Sequence, residues 1–358
     1  MKNNWQIKTF DEIFTISAGG DIDKKSLSFE KNEKYCYPVY ANAIANQGLY
    51  GYSDKYKIDK ESLTITARGD IGKIFYRQPN YTPIVRLIVC LPKDNINIKF
   101  MSYACSKIKF INETTGVSQL TVPNVKKYKI SVPPLAEQEK IVLILSKQDE
   151  VIEKLEKLIE LKIKQKKGLM QRFIYTQKGT KSYKVKDLFE LGRGRVISKN
   201  EIEKNKGIYP VYSSQTLDDG ILGYINTYDF ECKCITWTTD GANAGDVFYR
   251  NGRFNCTNVC GIAKAKDESM INLYYATCFL NHVTKKYVSY VGNPKLMNGV
   301  FAVIPLELPE INIQNKVASI LSKSDEEIEL LKKKLELCKK QKKWLMQKLL
   351  SGEIRVDI

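Results

Sequence analysis

Apolar residues return at steps of three and four along two stretches of the chain, about 136–175 and 311–350. In the first, the stripe runs through Ile144, Val151, Leu155, Leu158 and Leu169, with polar Gln148, Lys162 and Gln165 in register. In the second it runs through Leu321, Ile328, Leu331, Leu335, Cys338, Leu345 and Leu349. This is the periodicity of a coiled-coil seam. A helix of roughly forty residues reaches about 60 Å, too long to hide its stripe in a small domain. The economical partner is the other helix, running antiparallel if the halves are related by an approximate two-fold axis. Packing of each helix on its own domain, or in a homo-oligomeric coil, is the alternative. Elsewhere the pattern is short β-like runs broken by Gly, Asn and Pro: LTITA, KIFYR and PIVRLIVCL, then KCITWTT, DVFYR and FNCTNVCGIAKA. Helices are predicted at FDEIF and VKDLFEL, and at FMSYACSKIKFI and INLYYATCFLNHV. This mixture predicts α+β domains without a parallel βαβ series.

The two patterns repeat in order. KTFDEIFTISAGG from Lys8 matches KVKDLFELGRGR from Lys184, and YPVYANAIANQGLYGY from Tyr37 matches YPVYSSQTLDDGILGYI from Tyr209. LTITARGDIGKIFYR from Leu63 matches ITWTTDGANAGDVFYR from Ile235. The segment from Gly116 matches the one from Gly292, and ILSKQD from Ile144 matches ILSKSD from Ile320. Ordered similarity at nearly constant offset marks an internal duplication. The expected divisions are a first globular domain over 1–134, a helix over 135–179, a second domain over 180–309, and a second helix with tail over 310–358.

Composition narrows the function. With 57 basic and 40 acidic residues, the net charge of +17 favours a polyanionic partner such as nucleic acid; a lysine-rich surface from an AT-rich genome is the bland alternative. No stretch approaches a membrane span, and the N-terminus lacks a signal-peptide pattern, so a cytoplasmic protein is expected. The nine cysteines lack framework spacing and read as free thiols. Cys232, Cys234, Cys256 and Cys260 are poorly spaced for zinc. The single histidine, His282, removes most histidine-based triads. Neither a phosphate-cradling G-x-x-x-x-G-K-[ST] loop nor a G-x-S-x-G elbow or H-E-x-x-H helix is present. The sequence therefore reads as a binding or scaffolding protein.

Two similar but divergent domains can read two short sites. Candidate contacts lie where the shared frame brackets differing polar residues. Asn42 to Gln47 stand opposite Ser213 to Thr216, a segment that includes Ser214 and Gln215. Arg68 stands opposite the segment carrying Trp237 and Asn243, and Gln119 faces Asn293 and Lys295. Asn and Gln can pair with adenine, and Arg with guanine; each could equally be a turn residue, and Arg68 a strand-end ion pair. Lys24, Lys25, Arg193 and Arg195 occupy the early loops, as phosphate contacts or as solvated surface. The glycines of GRGR suggest backbone close to something, phosphate among the candidates.

Over essentially its whole length the chain resembles a specificity subunit of a type I restriction-modification system. The resemblance rests on the order domain, helix, domain, helix, on YPVY followed by Gly-Tyr, on ITARGDIG, and above all on VSQLTVPNVKKYKISVPPLAEQEKI. There Pro133, Pro134, Glu137 and Gln138 match the run that introduces the family's helix. The second copy, LPEINIQNKVASIL, keeps Pro309 and Gln314 but lacks the second proline and the glutamate, a departure that bears on the local cap. The resemblance implies two similar target-recognition domains separated by two long antiparallel coiled-coil helices. It implies no catalysis and no cofactor in this chain, with double-stranded DNA as its ligand. The implied partners are two modification subunits that use S-adenosylmethionine to methylate adenine, and restriction subunits that use ATP and Mg. A nucleic-acid enzyme and a protein-binding adaptor are the readings from other classes.

Overall fold

The computed structural model describes residues 5–110, 119–175, 179–214 and 217–356. The chain divides into two compact units, Met1–Leu155 with Lys334–Ile358, and Glu156–Lys333. Each unit holds one globular part and a portion of each long helix, Leu135–Met170 and Ile311–Leu349.

The first globular part opens on a capping box. Glu12 N–H donates to Thr9 Oγ1 at 3.3 Å, and the Glu12 carboxylate takes Thr9 N–H at 2.6 Å. A four-stranded antiparallel sheet then forms in the order Phe14–Ala18, Ile88–Pro92, Ser62–Ile65, Ile74–Arg77. A second sheet runs Leu27–Ser28, Leu49–Ser53, Tyr37–Tyr40, Thr82–Pro83, the last pair parallel. The run PIVRLIVCL is therefore not one strand: it breaks at Val85 and Arg86, whose φ angles are 52° and 59°. In the second unit one six-stranded sheet replaces the two, because Val247–Cys256 continues unbroken from the FYR segment into the position that Thr82–Pro83 fills in the first unit. The first unit turns there instead, with Asn80 at φ 65°.

Each core includes the roots of both helices. Phe10, Phe14, Leu63 and Phe100 pack with Ile141 and Leu145 near the start of the first long helix and Leu349 at the end of the second. In the second unit Val185, Phe189, Trp237 and Phe301 pack with Val317, Ala318 and Leu321, and with Ile174 just past the first helix. Burial of such side chains, about 1.5–3 kcal/mol each, fixes the domain to the helix.

Gln138 and Gln314 explain why the signature keeps its glutamine. Gln138 accepts Asn97 N–H at 2.8 Å and donates to Pro133 O at 2.9 Å and Asn95 O at 3.2 Å. Gln314 accepts Asn272 N–H at 2.9 Å and donates to Pro309 O at 2.8 Å and Met270 O at 3.3 Å. Asn97 and Asn272 in turn cap the helices Ile98–Cys105 and Leu273–Val283. The cap survives the departure from the first copy: Gln138 N–H reaches Pro134 O, and Gln314 N–H reaches Glu310 O, both at 3.1 Å. What is lost is an anchor. Glu137 is fully buried, takes Arg355 bidentately at 2.6 and 2.7 Å, and accepts the Trp5 indole N–H at 3.1 Å. Its counterpart Ile313 is 36% exposed.

Within each unit the helix segments pair antiparallel. In the first, Asp149 is bridged to Lys342 and Gln148 donates to Cys338 O at 3.1 Å. In the second, Lys162 meets Glu327 at 2.7 Å and Lys166 meets Asp325 at 2.5 Å. A tyrosine of the globular part joins each cluster: Tyr103 donates to Asp149 at 2.6 Å, and Tyr274 donates to Asp325. On the second helix the stripe lies as read, with Leu321 and Ile328 buried and Leu331, Leu335 and Leu345 half-buried. On the first it is shifted by one residue. Leu155 is buried, Ile144 and Leu169 are half-buried, but Val151 and Leu158 are 42% and 39% exposed. The seam runs instead through Ile141, Leu145, Gln148, Ile152, Leu155, Ile159 and Lys162. Adjacent apolar pairs such as Val151–Ile152 and Leu158–Ile159 allow two registers by periodicity, and polar Gln148 and Lys162 belong to the one adopted.

Among the described residues no helix is long and apolar enough to cross a membrane. Cys234, Cys256 and Cys260 pack with Phe254 and Ile262, with Cys232 against them; burial pushes the Cys234 thiol up. His282 stacks on Tyr175 with ring centroids 3.6 Å apart.

Candidate nucleic-acid interface

The repeated YPVY and FYR segments form a staple for one loop in each unit. Arg77, the arginine of the first FYR, is 2% exposed. Its Nε donates to Thr64 Oγ1 at 2.8 Å, its Nη2 donates to Gln47 O at 2.6 Å, and its guanidinium lies 3.7 Å from the Tyr40 ring centre. Burial holds its pKa below the usual arginine value. Arg250 repeats the arrangement, with Thr236 Oγ1 at 3.2 Å and the Tyr212 ring at 3.6 Å. It holds its loop by two atoms of Asp219: the carboxylate at 2.5 Å and the carbonyl at 2.8 Å. Both loops close on a backbone bond, Ala41 N–H to Gly48 O at 2.9 Å and Ser213 N–H to Gly220 O at 2.8 Å. Periodicity did not single out either arginine; the signal available was a charged residue kept in step with an aromatic frame.

In the first unit Asn42 ties three loops together. It accepts Ala67 N–H at 2.8 Å and donates to Val85 O. This joins the loop 41–48, the turn carrying Arg68, and the turn at Val85 and Arg86. Gln47 is exposed with φ 52°, after Asn46 at φ 47°. Arg68 is exposed and donates to Gln119 Oε1 from Nε at 3.2 Å and Nη2 at 3.0 Å, so two candidates meet directly. Gly19 admits no side chain, since a Cβ would lie 2.8 Å from Pro83 C and O. Lys24 and Lys25 are exposed on the short helix Lys24–Ser26 that follows.

The second unit gathers equivalent loops with different chemistry. Asn243 donates to Ser214 O at 3.3 Å, which joins those two candidates. Gln215 lies outside the described residues. Arg193 is exposed and donates to Asn298 Oδ1 at 3.2 Å. Arg195 is bridged to Glu201 at 2.7 Å and Asp229 at 2.9 Å, so its charge is already paired. Trp237 corrects the sequence reading. It is fully buried, stacks on Phe301 with centroids 3.8 Å apart, and donates its indole N–H to Leu296 O at 3.0 Å. It has no surface to offer a base. The GRGR reading changes too: a Cβ on Gly194 would lie 2.1 Å from Cys256 O, so the close neighbour is the chain's own backbone.

Two divergent copies of one loop-bearing domain each carry basic and amide side chains on a braced loop cluster, the arrangement that a two-site nucleic-acid reader requires. The model of the type I restriction modification DNA specificity domain matches twice, at residues 2–165 and 177–340. The chain belongs to this family of specificity subunits, with two DNA-recognition domains. A putative type I specificity subunit of Mycoplasma pneumoniae is 36% identical over 229 residues, covering 58% of this chain and 92% of the relative. The N-terminal part of another from the same organism is 48% identical over 142 residues, covering 39% and 75%. The MpnII specificity subunit of M. pneumoniae is 40% identical over 166 residues, covering 43% and 50%. Among solved structures, the type I S subunit from M. genitalium shares the fold with a TM-score of 0.73 at 18% identity, covering 100% of this chain and 98% of that one.

Proposed function

We propose that each unit reads one half of a bipartite duplex target, and that the chain presents that target to modification and restriction subunits which carry the chemistry. The observation that carries this reading is the shared staple with unshared loops. Arg77 and Arg250 hold equivalent loops on equivalent strands, while the polar residues on those loops differ. A frame kept constant under variable side chains is what two readers of different sequences require. The long helices serve as spacer and as docking surface for the two modification subunits. S-adenosylmethionine, ATP and Mg are used by the partners, and the site of action is the cytoplasm.

Genome-wide mapping of adenine methylation, with and without this gene in a strain carrying the complete system, tests the reading. Loss of a bipartite motif on deletion is the expected result; unchanged methylation contradicts it. Duplex binding by the assembled complex should also weaken steeply with salt, whereas a flat response favours an adaptor that binds protein.

A further inference from the structure

The turn that breaks PIVRLIVCL is built from residue types that such a turn does not select. Val85 and Arg86 stand consecutively at positive φ, 52° and 59°, and both are exposed, Val85 by 51%. Positive φ is a true outlier for a β-branched residue and is retained only where the surroundings over-determine it. Here they do. Val85 N–H donates to Gly20 O at 3.1 Å, Arg86 N–H donates to Gly19 O at 3.0 Å, and Asn42 donates to Val85 O. Gly19 is the residue whose lack of a side chain lets the turn approach. The backbone of Arg86 is thus pinned from both sides. Its side chain has no hydrogen-bond or ion-pair partner among the described residues.

The second unit sharpens the point. Continuing the strand register, Asn258 and Val259 occupy the equivalent turn. Neither has positive φ, and Asn258 is exposed there. The turn therefore differs between the units in side chain and in backbone, while the glycine and strands beneath it are shared.

We propose that Arg86 is a specificity-determining residue of the first unit, held out by its pinned turn to take the O6 and N7 edge of a guanine in the major groove. A planar fork on a fixed backbone suits bidentate guanine recognition, the commonest specific contact of arginine. This rests on the reading that the first unit binds one half-site.

The test is methylation-motif mapping in a strain with the complete system carrying wild type, Arg86→Lys or Arg86→Ala. Wild type should give a bipartite motif. Both variants should relax one G·C position in one half, lowering its preference about ten- to a hundredfold, with the other half unchanged. If Arg86→Lys keeps the motif while Arg86→Ala weakens methylation at all sites alike, the contact is to phosphate and the proposal falls. An unchanged motif in both variants, or loss of all methylation in both, also overturns it. Absence of any bipartite motif in wild type is distinguishable from these, because it removes the underlying reading before the variants are compared.

Discussion

The first and second units use one scaffold with different fastenings. Arg77 holds its loop through a single backbone carbonyl, that of Gln47, whereas Arg250 holds its loop through the carbonyl and carboxylate of Asp219. The first unit adds a tail anchor, Arg355 on Glu137, for which the second has Ile313. Duplicated domains here keep the groups that build the frame and change the groups that secure or tip the loops. Hydrogen exchange, which reports each unit separately, can measure what each fastening contributes.

The largest effect is expected at the shared glycine. Gly194→Ala forces a Cβ to within 2.1 Å of Cys256 O and should destabilise the second unit by about 3 kcal/mol or more; Gly19→Ala, with contacts of 2.8 Å, should cost the first unit about 1–3 kcal/mol. Equal costs would show that the two turns do not approach their glycines differently. Glu137→Ala removes the buried carboxylate that the Trp5 indole N–H and the Arg355 fork both reach, and should cost the first unit about 2–3 kcal/mol. Ile313→Ala at the equivalent position should change the second by no more than about 0.5 kcal/mol. Asp219→Asn weakens the carboxylate lock and should make the second loop exchange more like the first, at about 1–2 kcal/mol.

A further effect concerns pH. Burial, and then the hydrogen bonds to Asp149 and Asp325, push the Tyr103 and Tyr274 phenols up from their ordinary value of 10.0. A folded-state pKa above the unfolded one favours the neutral phenol in the fold. This contribution is complete below about pH 10 and is lost as pH rises beyond it. Tyr103→Phe and Tyr274→Phe should each cost about 1 kcal/mol near neutrality and flatten the alkaline limb of the stability curve. An unaltered limb would show that these phenols do not govern it.

The duplication, the two long helices and the antiparallel pairing were legible because they repeat in sequence and follow simple periods. The register of the first helix was not, since Val151–Ile152 and Leu158–Ile159 satisfy either of two stripes. The candidate site was legible only in outline. Loop positions such as Asn42, Arg68 and Gln119 meet as neighbours, but Trp237 looked like a contact and is core, since aromatic residues beside a turn serve either end. Arg77 and Arg250 went unassigned because a buried cation leaves no hydrophobic signal. Val85 and Arg86 sit inside the β-like run PIVRLIVCL, and only tertiary contacts from Gly19, Gly20 and Asn42 impose the turn.

The central claim is that the two units read separately. The most direct measurement maps adenine methylation for Arg68→Ala in the first unit and Arg193→Ala in the second, each in the complete system. Each variant should relax one half of the bipartite motif, and the two variants should relax different halves. Relaxation of both halves by either variant, or of the same half by both, would contradict it.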